Sequence, residues 1–338
     1  MPDSLTKRRI DAPTIDALAR EAFGPATTVK QYRELNDGFF NAAFRLLLDD
    51  GRDVVLKVSP APDAPILTYE RDIMRAEAAF FESAAGSGAP LPELLYAGWG
   101  REVLDSDFLV LSAVDGVSWE SVAEGLGDEE RAGLLAELGE AAARLHKVTN
   151  PEPVFGYPAV AELSAGSWPQ AYAAMLGGAL DDAARYGVEL PLPAQQLREL
   201  AAANAESLAD VTEPTLVHFD LWPGNVFVSA ADDGTPRRVT GLIDGERMIW
   251  GDPLMEFVGM NVLGRADQDP DIVAGYVRGG GEIAGGEAAE RRLALYHLYM
   301  QLLLLVETAP RGYSDADYVA WILSDCPKRI LEAAARLG

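Results

Sequence analysis

Short apolar runs broken by turn residues fill the first third of the chain, and long helical periodicities fill most of the rest. Residues 45–50 and 52–59 are β-type runs separated by Asp49-Asp50-Gly51, a turn signal between paired strands. Residues 69–85 carry apolar positions at helical spacing and stop before Gly86-Ser87-Gly88. Residues 108–112 read as a further strand, after which Asp115-Gly116 breaks the pattern. Beyond it, residues 129–148, 164–186 and 193–208 read as amphipathic helices. A strand-turn-strand segment at 215–251 interrupts them, and helical spacing returns at 287–306 and 318–337. No repeat of solenoid or propeller length is present. The order implies an α+β protein with two lobes: an antiparallel-sheet lobe over 1–112, a hinge at 113–116 and a larger, mainly helical lobe over 117–338. Such an arrangement leaves a cleft in which ligands commonly sit.

Composition narrows the reading. Half of the 338 residues are apolar, as in a well-cored protein. The longest apolar run, around 302–306, is far too short to cross a bilayer, so no membrane partner is expected. A lone cysteine, Cys326, excludes an intramolecular disulfide framework. With no basic start followed by an apolar stretch at Met1-Pro2-Asp3-Ser4, a cytoplasmic location is expected. The net charge of −25 argues against nucleic acid as a partner, because phosphate backbones need clustered Lys and Arg. A cationic ligand would be drawn to such a surface, although acidity also simply keeps a protein soluble.

The densest chemistry lies in Leu216-Val217-His218-Phe219-Asp220-Leu221-Trp222-Pro223-Gly224-Asn225-Val226-Phe227-Val228. An apolar pair leads into a polar loop and a β-type run leads out. Inside it His218, Asp220 and Asn225 form H-x-D-x-x-x-x-N. Phosphoryl transfer needs a carboxylate beside the attacking hydroxyl and oxygen ligands for magnesium. Asp220 and Asn225, five positions apart, can supply both. About twenty residues on, Gly241-Leu242-Ile243-Asp244-Gly245-Glu246 is an apolar strand that delivers Asp244 at a turn, placed to bridge magnesium to nucleotide phosphates. Trp250-Gly251-Asp252-Pro253-Leu254-Met255-Glu256 is a third polar turn.

These three segments resemble the aminoglycoside phosphotransferase and choline kinase family, relatives of the protein kinases. That family carries H-G-D-x-x-x-x-N, then I-D-x-x, then G-D-P-x-x-D/E. Here H-F-D-x-x-x-x-N, I-D-G-E and G-D-P-L-M-E stand in the same order. The resemblance extends from about Leu35 to Phe257 and implies a bilobal protein-kinase-like fold. Gly38-Phe39-Phe40-Asn41-Ala42-Ala43-Phe44-Arg45 is similar to the family's G-x-x-N-x-x-(Y/F)-R hairpin over the phosphates, which assigns Asn41 to the nucleotide. Val54-Val55-Leu56-Lys57 looks like the strand whose lysine contacts phosphates. Glu77 matches the helix glutamate that orients that lysine, with Glu70 as a competitor. Leu111-Ser112-Ala113-Val114-Asp115-Gly116 resembles the hinge that binds the base through its backbone, which puts Ser112 and Val114 at the nucleotide. Leu138-Gly139-Glu140 through Leu145-His146 matches the family's L-G-x-x-x-A-x-L-H helix.

On this resemblance Asp220 is the catalytic residue, Asn225 and Asp244 hold Mg2+, and Lys57 neutralises phosphate while Glu77 holds it. His218 supports the loop, and Glu246 either assists the metal site or bonds its own loop. Phe219 departs from the family, which has Gly or a polar residue there. Asp252 reads as a brace, His146 as a buried helix end and Cys326 as inert. Trp168, Tyr172 and Trp250 belong either to a substrate pocket or to the core. The implied activity is transfer of the γ-phosphoryl of ATP or GTP to a hydroxyl of a small molecule. An antibiotic of aminoglycoside, nucleoside or peptide type leads. A metabolic kinase of a sugar, choline, homoserine or fructosamine is the alternative, and an inactive nucleotide-binding protein a second one. Oligomeric state is left open.

Overall fold

The structure, a computed structural model, describes residues 5–35, 40–230 and 235–338. Gly38 and Phe39 of the expected hairpin lie outside the described residues. Helix α1 (Ala12–Phe23) starts at Asp11, whose carboxylate accepts the Thr14 N–H, with Pro13 in the first turn. Strands β1 (Val29–Leu35), β2 (Ala42–Leu48), β3 (Asp53–Val58), β4 (Leu94–Gly98) and β5 (Phe108–Ser112) follow. They form an antiparallel sheet in the order β1-β2-β3-β5-β4.

Alternation along the strands decides what each face holds. Phe44, Leu46, Leu48, Val54, Leu56 and Val58 share one face, which Ile15 and Leu18 of α1 cover. Lys57 lies between Leu56 and Val58 and so points to the other face. Helix α2 (Ile73–Ala84) covers that face through Ile73, Met74 and Ala78, packed against Leu109, the cross-strand partner of Lys57.

The helical lobe comprises α3 (Asp128–Leu145), α4 (Trp168–Tyr186), α5 (Ala194–Ala203), α6 (Ala205–Ala209), α7 (Leu254–Met260), α8 (Pro270–Arg278), α9 (Glu287–Arg311) and α10 (Ala316–Leu337). Helix α9 is its axis: from Leu293 to Val306 every side chain except His297 is buried. A helix apolar on all sides belongs inside a core. Two small sheets sit under the cleft. One has β6 (Val117–Ser118), β10 (Val226–Val228) and β11 (Val239–Leu242) in the order β11-β10-β6. The other has β7 (Phe155–Gly156), β8 (Ser164–Ala165), β9 (Thr215–Val217) and β12 (Ile249–Gly251) in the order β8-β7-β12-β9. Because β9 pairs with β12 and β10 with β11, the loops 218–225 and 243–248 are held side by side.

Several helix bounds differ from the sequence expectation: the helix expected from 69 begins at Ile73, and the one expected to end at 306 runs on to Arg311. The stretch 193–208 is broken at Asn204, whose Nδ2 donates to the Leu200 and Leu337 carbonyls at 2.9 and 3.0 Å. Such a side chain competes with the helical backbone, and here it ties the break to the end of α10. The helix expected from 164 begins at Trp168, because Ser164–Ala165 is taken up as β8. No helix among the described residues is long and apolar enough to cross a membrane.

Candidate active site

Lys57 of β3 reaches into the cleft between three carboxylates. Its Nζ lies 2.6 Å from Glu77 Oε1 on α2, 2.6 Å from Asp244 Oδ1 and 3.9 Å from Glu246 Oε2. Burial alone would lower the lysine, but Asp244, Glu77 and Glu246 more than offset it and hold the ammonium charged. Asp244 stays below its ordinary value, since Lys57 overcomes the opposing effect of burial. Three acids share one cation, however. Burial, with Asp244 adding repulsion, pushes Glu77 up to about 7. Glu246 is raised well above the usual carboxylate range, first by burial and then by Asp244. Asn41 at the start of β2 donates to Glu246 Oε2 and so joins the sheet lobe to this loop.

Asp244 has φ +67°, the left-handed region that a non-glycine residue adopts only when its surroundings enforce it. The next residue has to be small: a Cβ on Gly245 would stand 2.2 Å from the Phe80 ring of α2. The turn therefore fits directly under the helix that carries Glu77.

The second loop is fixed from below. The Glu256 carboxylate on α7 accepts the N–H groups of His218 and Phe219 at 2.8 and 2.9 Å. His218 Nε2–H donates to the Ile243 carbonyl at 2.9 Å, and its Nδ1 accepts the Asp220 N–H at 3.3 Å. The imidazole thereby spans the two loops. Asn225 donates from Nδ2 to the Asp220 carbonyl at 2.9 Å and to Asp220 Oδ2 at 3.0 Å. Phe219, at φ +65°, is fully buried and stacks on Tyr299. Burial raises the Asp220 carboxyl, and the Arg247 guanidinium opposes that rise.

Sequence reasoning missed a chain of buried charges beside Asp220. Arg247 Nε lies 3.9 Å from Asp220 Oδ2, and one Nη donates to Glu307 on α9 at 2.9 Å. Glu307 also meets Arg311 at 3.3 Å, and Arg311 pairs with Glu70 at 2.6 Å. Glu70 is thus the partner of Arg311, while Glu77 is the partner of Lys57. The one available signal was that Arg247 directly follows the Asp244 turn. Nothing local says which residue of a helix sixty positions on it will meet.

Ser112 and Val114 line a cavity of about 360 Å³ together with Leu91, Pro92, Ala113, Asp115 and Thr240. A Cβ on Gly241 would come within 2.4 Å of Val114, so β11 packs close against this strip. Asp252 braces α9, accepting from Arg292 Nε at 2.8 Å and the Tyr296 hydroxyl at 2.7 Å. His146 caps α3 and bonds the Tyr276 hydroxyl at 2.7 Å. Trp168 and Tyr172 are fully buried and Trp250 nearly so, which places all three in the core instead of a pocket. Cys326 is buried as well, and burial pushes its thiol up to about 12.

A sheet lobe hinged to a helical lobe, with a lysine–glutamate pair above and two acidic loops below, defines the protein-kinase-like class. The sequence profile of the phosphotransferase enzyme family matches residues 31–296, and the chain belongs to that family. No curated protein matches it. Among solved structures, a candidate fructosamine-3-kinase of Thermobifida fusca is 20% identical with a TM-score of 0.65, over 97% of this chain and 99% of that one. The gentamicin complex of APH(2″)-IIa is 16% identical with a TM-score of 0.62, over 98% and 99%. A choline/ethanolamine kinase family protein of Mesorhizobium loti is 18% identical with a TM-score of 0.57, over 96% and 99%. At these identities the likeness carries the fold alone.

Proposed function

We propose that this phosphotransferase moves the γ-phosphoryl of ATP or GTP to a hydroxyl of a small molecule. The observation that carries this reading is the convergence on one cleft of Lys57 with Glu77, Asp244, and the Asp220–Asn225 pair, from separate segments. The sheet lobe over 1–112 and the strip 113–116 would hold the nucleotide, with the base in the cavity at Ser112 and Val114. Asn41 and Lys57 face the phosphates. Asn225 and Asp244 offer the hard oxygen ligands that suit Mg2+, and the surplus of negative charge around Lys57 fits a cation there. A bound magnesium ion neutralises phosphate charge. Glu246 either joins that shell or stays on Asn41.

Asp220 receives the acceptor hydroxyl as a hydrogen bond. The hydroxyl oxygen bonds to the γ-phosphorus, the bond to the nucleoside diphosphate breaks, and the hydroxyl proton passes to Asp220. His218 keeps the two loops in register. For the acceptor, the gentamicin-bound neighbour supports an antibiotic, and the fructosamine and choline kinase neighbours support a metabolite. Mass spectrometry of both kinds of compound, incubated with the protein, magnesium and ATP or GTP, tests the reading. A gain of about 80 Da on one acceptor, the mass of a phosphoryl group, is expected. Nucleotide binding with no product on any acceptor would leave only a binding protein.

A further inference from the structure

The acceptor side of the cleft holds a cation that the transfer as described does not use. Arg247 is buried to 6% exposure, and its guanidinium stands 3.9 Å from the carboxylate proposed to receive the acceptor hydroxyl. A guanidinium carries five N–H donors in a rigid fork. Here one Nη is bonded, to Glu307. The Nε and the other Nη make no hydrogen bond among the described residues, and neither is sealed from solvent. Donors open to the cleft take acceptors from water or from a bound ligand, so both are available to an acceptor molecule there. The ion pair with Glu307 uses one Nη, and Asp220 stands beyond hydrogen-bond range of Nε.

The acids around it are already engaged. Glu307 is shared between Arg247 and Arg311, and Glu70 belongs to Arg311 and the Leu67 N–H. Asp220 is the one acid of this cluster that no arginine hydrogen-bonds, and in the proposed transfer it takes the reacting hydroxyl. A ligand nitrogen bearing charge beside Asp220 would instead meet the Arg247 cation in a partly desolvated site, where like charges repel strongly.

Resting on the phosphotransferase reading, we propose that Arg247 is an acceptor-binding residue whose idle donors take an oxygen flanking the reacting hydroxyl. The acceptor class follows. Its reacting hydroxyl neighbours another oxygen function, as in a diol, a hydroxy-carbonyl or a hydroxy-acid. It does not neighbour an ammonium, as in choline. Oxygens on adjacent carbons meet the carboxylate and the guanidinium at once, and this two-point contact fixes which hydroxyl is presented. Glu307 is a positioning residue that holds the fork in place from α9.

The test uses the full chain with MgATP and two sets of alcohols. Glycerol, glycerate, ribose and adenosine carry oxygen-flanked hydroxyls. Choline, ethanolamine and 2-aminopropanol carry ammonium-flanked ones. Phosphorylation is expected within the first set only. R247K keeps the charge and the Glu307 pair but loses the fork. It is expected to raise the acceptor KM about 10- to 100-fold, the worth of hydrogen bonds to a charged group, while the MgATP KM stays within about twofold. E307Q, which loosens the fork, is expected to raise the acceptor KM by less. Transfer to an ammonium-flanked alcohol overturns the assignment. So does an unchanged acceptor KM in R247K, or bound MgATP with no transfer to any oxygen-flanked alcohol. The phosphotransferase reading fails separately, if MgATP neither binds nor is consumed with any acceptor, water included.

Discussion

Two buried charge clusters meet at the cleft, and the boundary between them falls between the consecutive residues Glu246 and Arg247. On the side we propose for the nucleotide one ammonium, Lys57, faces Glu77, Asp244 and Glu246. On the side we propose for the acceptor two guanidiniums, Arg247 and Arg311, are interleaved with Asp220, Glu307 and Glu70. The first cluster is short of two positive charges and the second of one. Burial raises Glu77, Glu246 and Asp220 alike, with Asp244 adding repulsion at each, while Lys57 opposes the rise at the first two and Arg247 at the third. Buried ion pairs recover their desolvation cost only with good geometry and matched charge. The larger imbalance around Lys57 leaves more room for an added cation than the smaller one around Arg247 and Arg311.

Removing the Asp220 charge from the second cluster should have the largest effect. Asp220→Asn is expected to lower kcat about 10³-fold, within the range for general-base catalysis, with the MgATP KM within a few-fold. Steady-state kinetics on the best acceptor decides it, and near-normal turnover would remove Asp220 from the reaction. Next comes Lys57→Met, which leaves three acids with no cation. The ligand-free protein should lose about 3–5 kcal/mol, as when one partner of a buried pair is removed. Urea unfolding with and without magnesium measures this, and part of the loss should return with the ion. Wild-type stability in that variant would show that the imbalance is not felt.

The same imbalance has a pH signature of about 3 kcal/mol at most. Glu77 ordinarily titrates at 4.5 and is pushed up to about 7 in the fold. Between those values the native state keeps a proton that the unfolded state has released, so this group's contribution to stability falls as pH rises through the window. Unfolding of the ligand-free protein across pH 4.5–7 should show that slope, and Glu77→Gln should flatten it. An equal slope in both proteins would mean that another group carries the proton.

Much of this arrangement was readable from the chain. The H-x-D-x-x-x-x-N and I-D-G-E segments are local patterns, and strand alternation around Lys57 puts its ammonium opposite the apolar face. The choice of Glu77 over Glu70 rested on spacing within a resemblance, and the two side chains indeed separate onto Lys57 and Arg311. Strands β1 and β4 and helices α7 and α8 are short and were not singled out, and helix α1, as long as α2, was missed. The acceptor-side network was not legible because Arg247 and Glu307 meet only through the packing of α9 under both loops. Trp168, Tyr172 and Trp250 were left between a pocket and the core, and packing places all three in the core.

The smallest effect concerns the residue that seats Asp220. Phe219 adopts φ +65°, and a left-handed non-glycine residue costs about 1–2 kcal/mol. Its ring stacks on Tyr299 at 6.1 Å and 15°, and Tyr299 shares a hydrogen bond of 3.1 Å with Tyr157. Gly259 makes room for the Phe219 carbonyl, since a Cβ there would come within 2.6 Å of it. Emptying a buried phenylalanine site costs about 3–5 kcal/mol. Phe219→Gly removes the ring but also the strain, so a net loss of about 2 kcal/mol is expected. Phe219→Ala keeps the strain and should lose more. Urea unfolding of the three proteins should therefore rank wild type above glycine and glycine above alanine. A glycine variant more stable than wild type would mean that backbone strain outweighs the stack, and that the ring serves something other than the rigidity of the acceptor side.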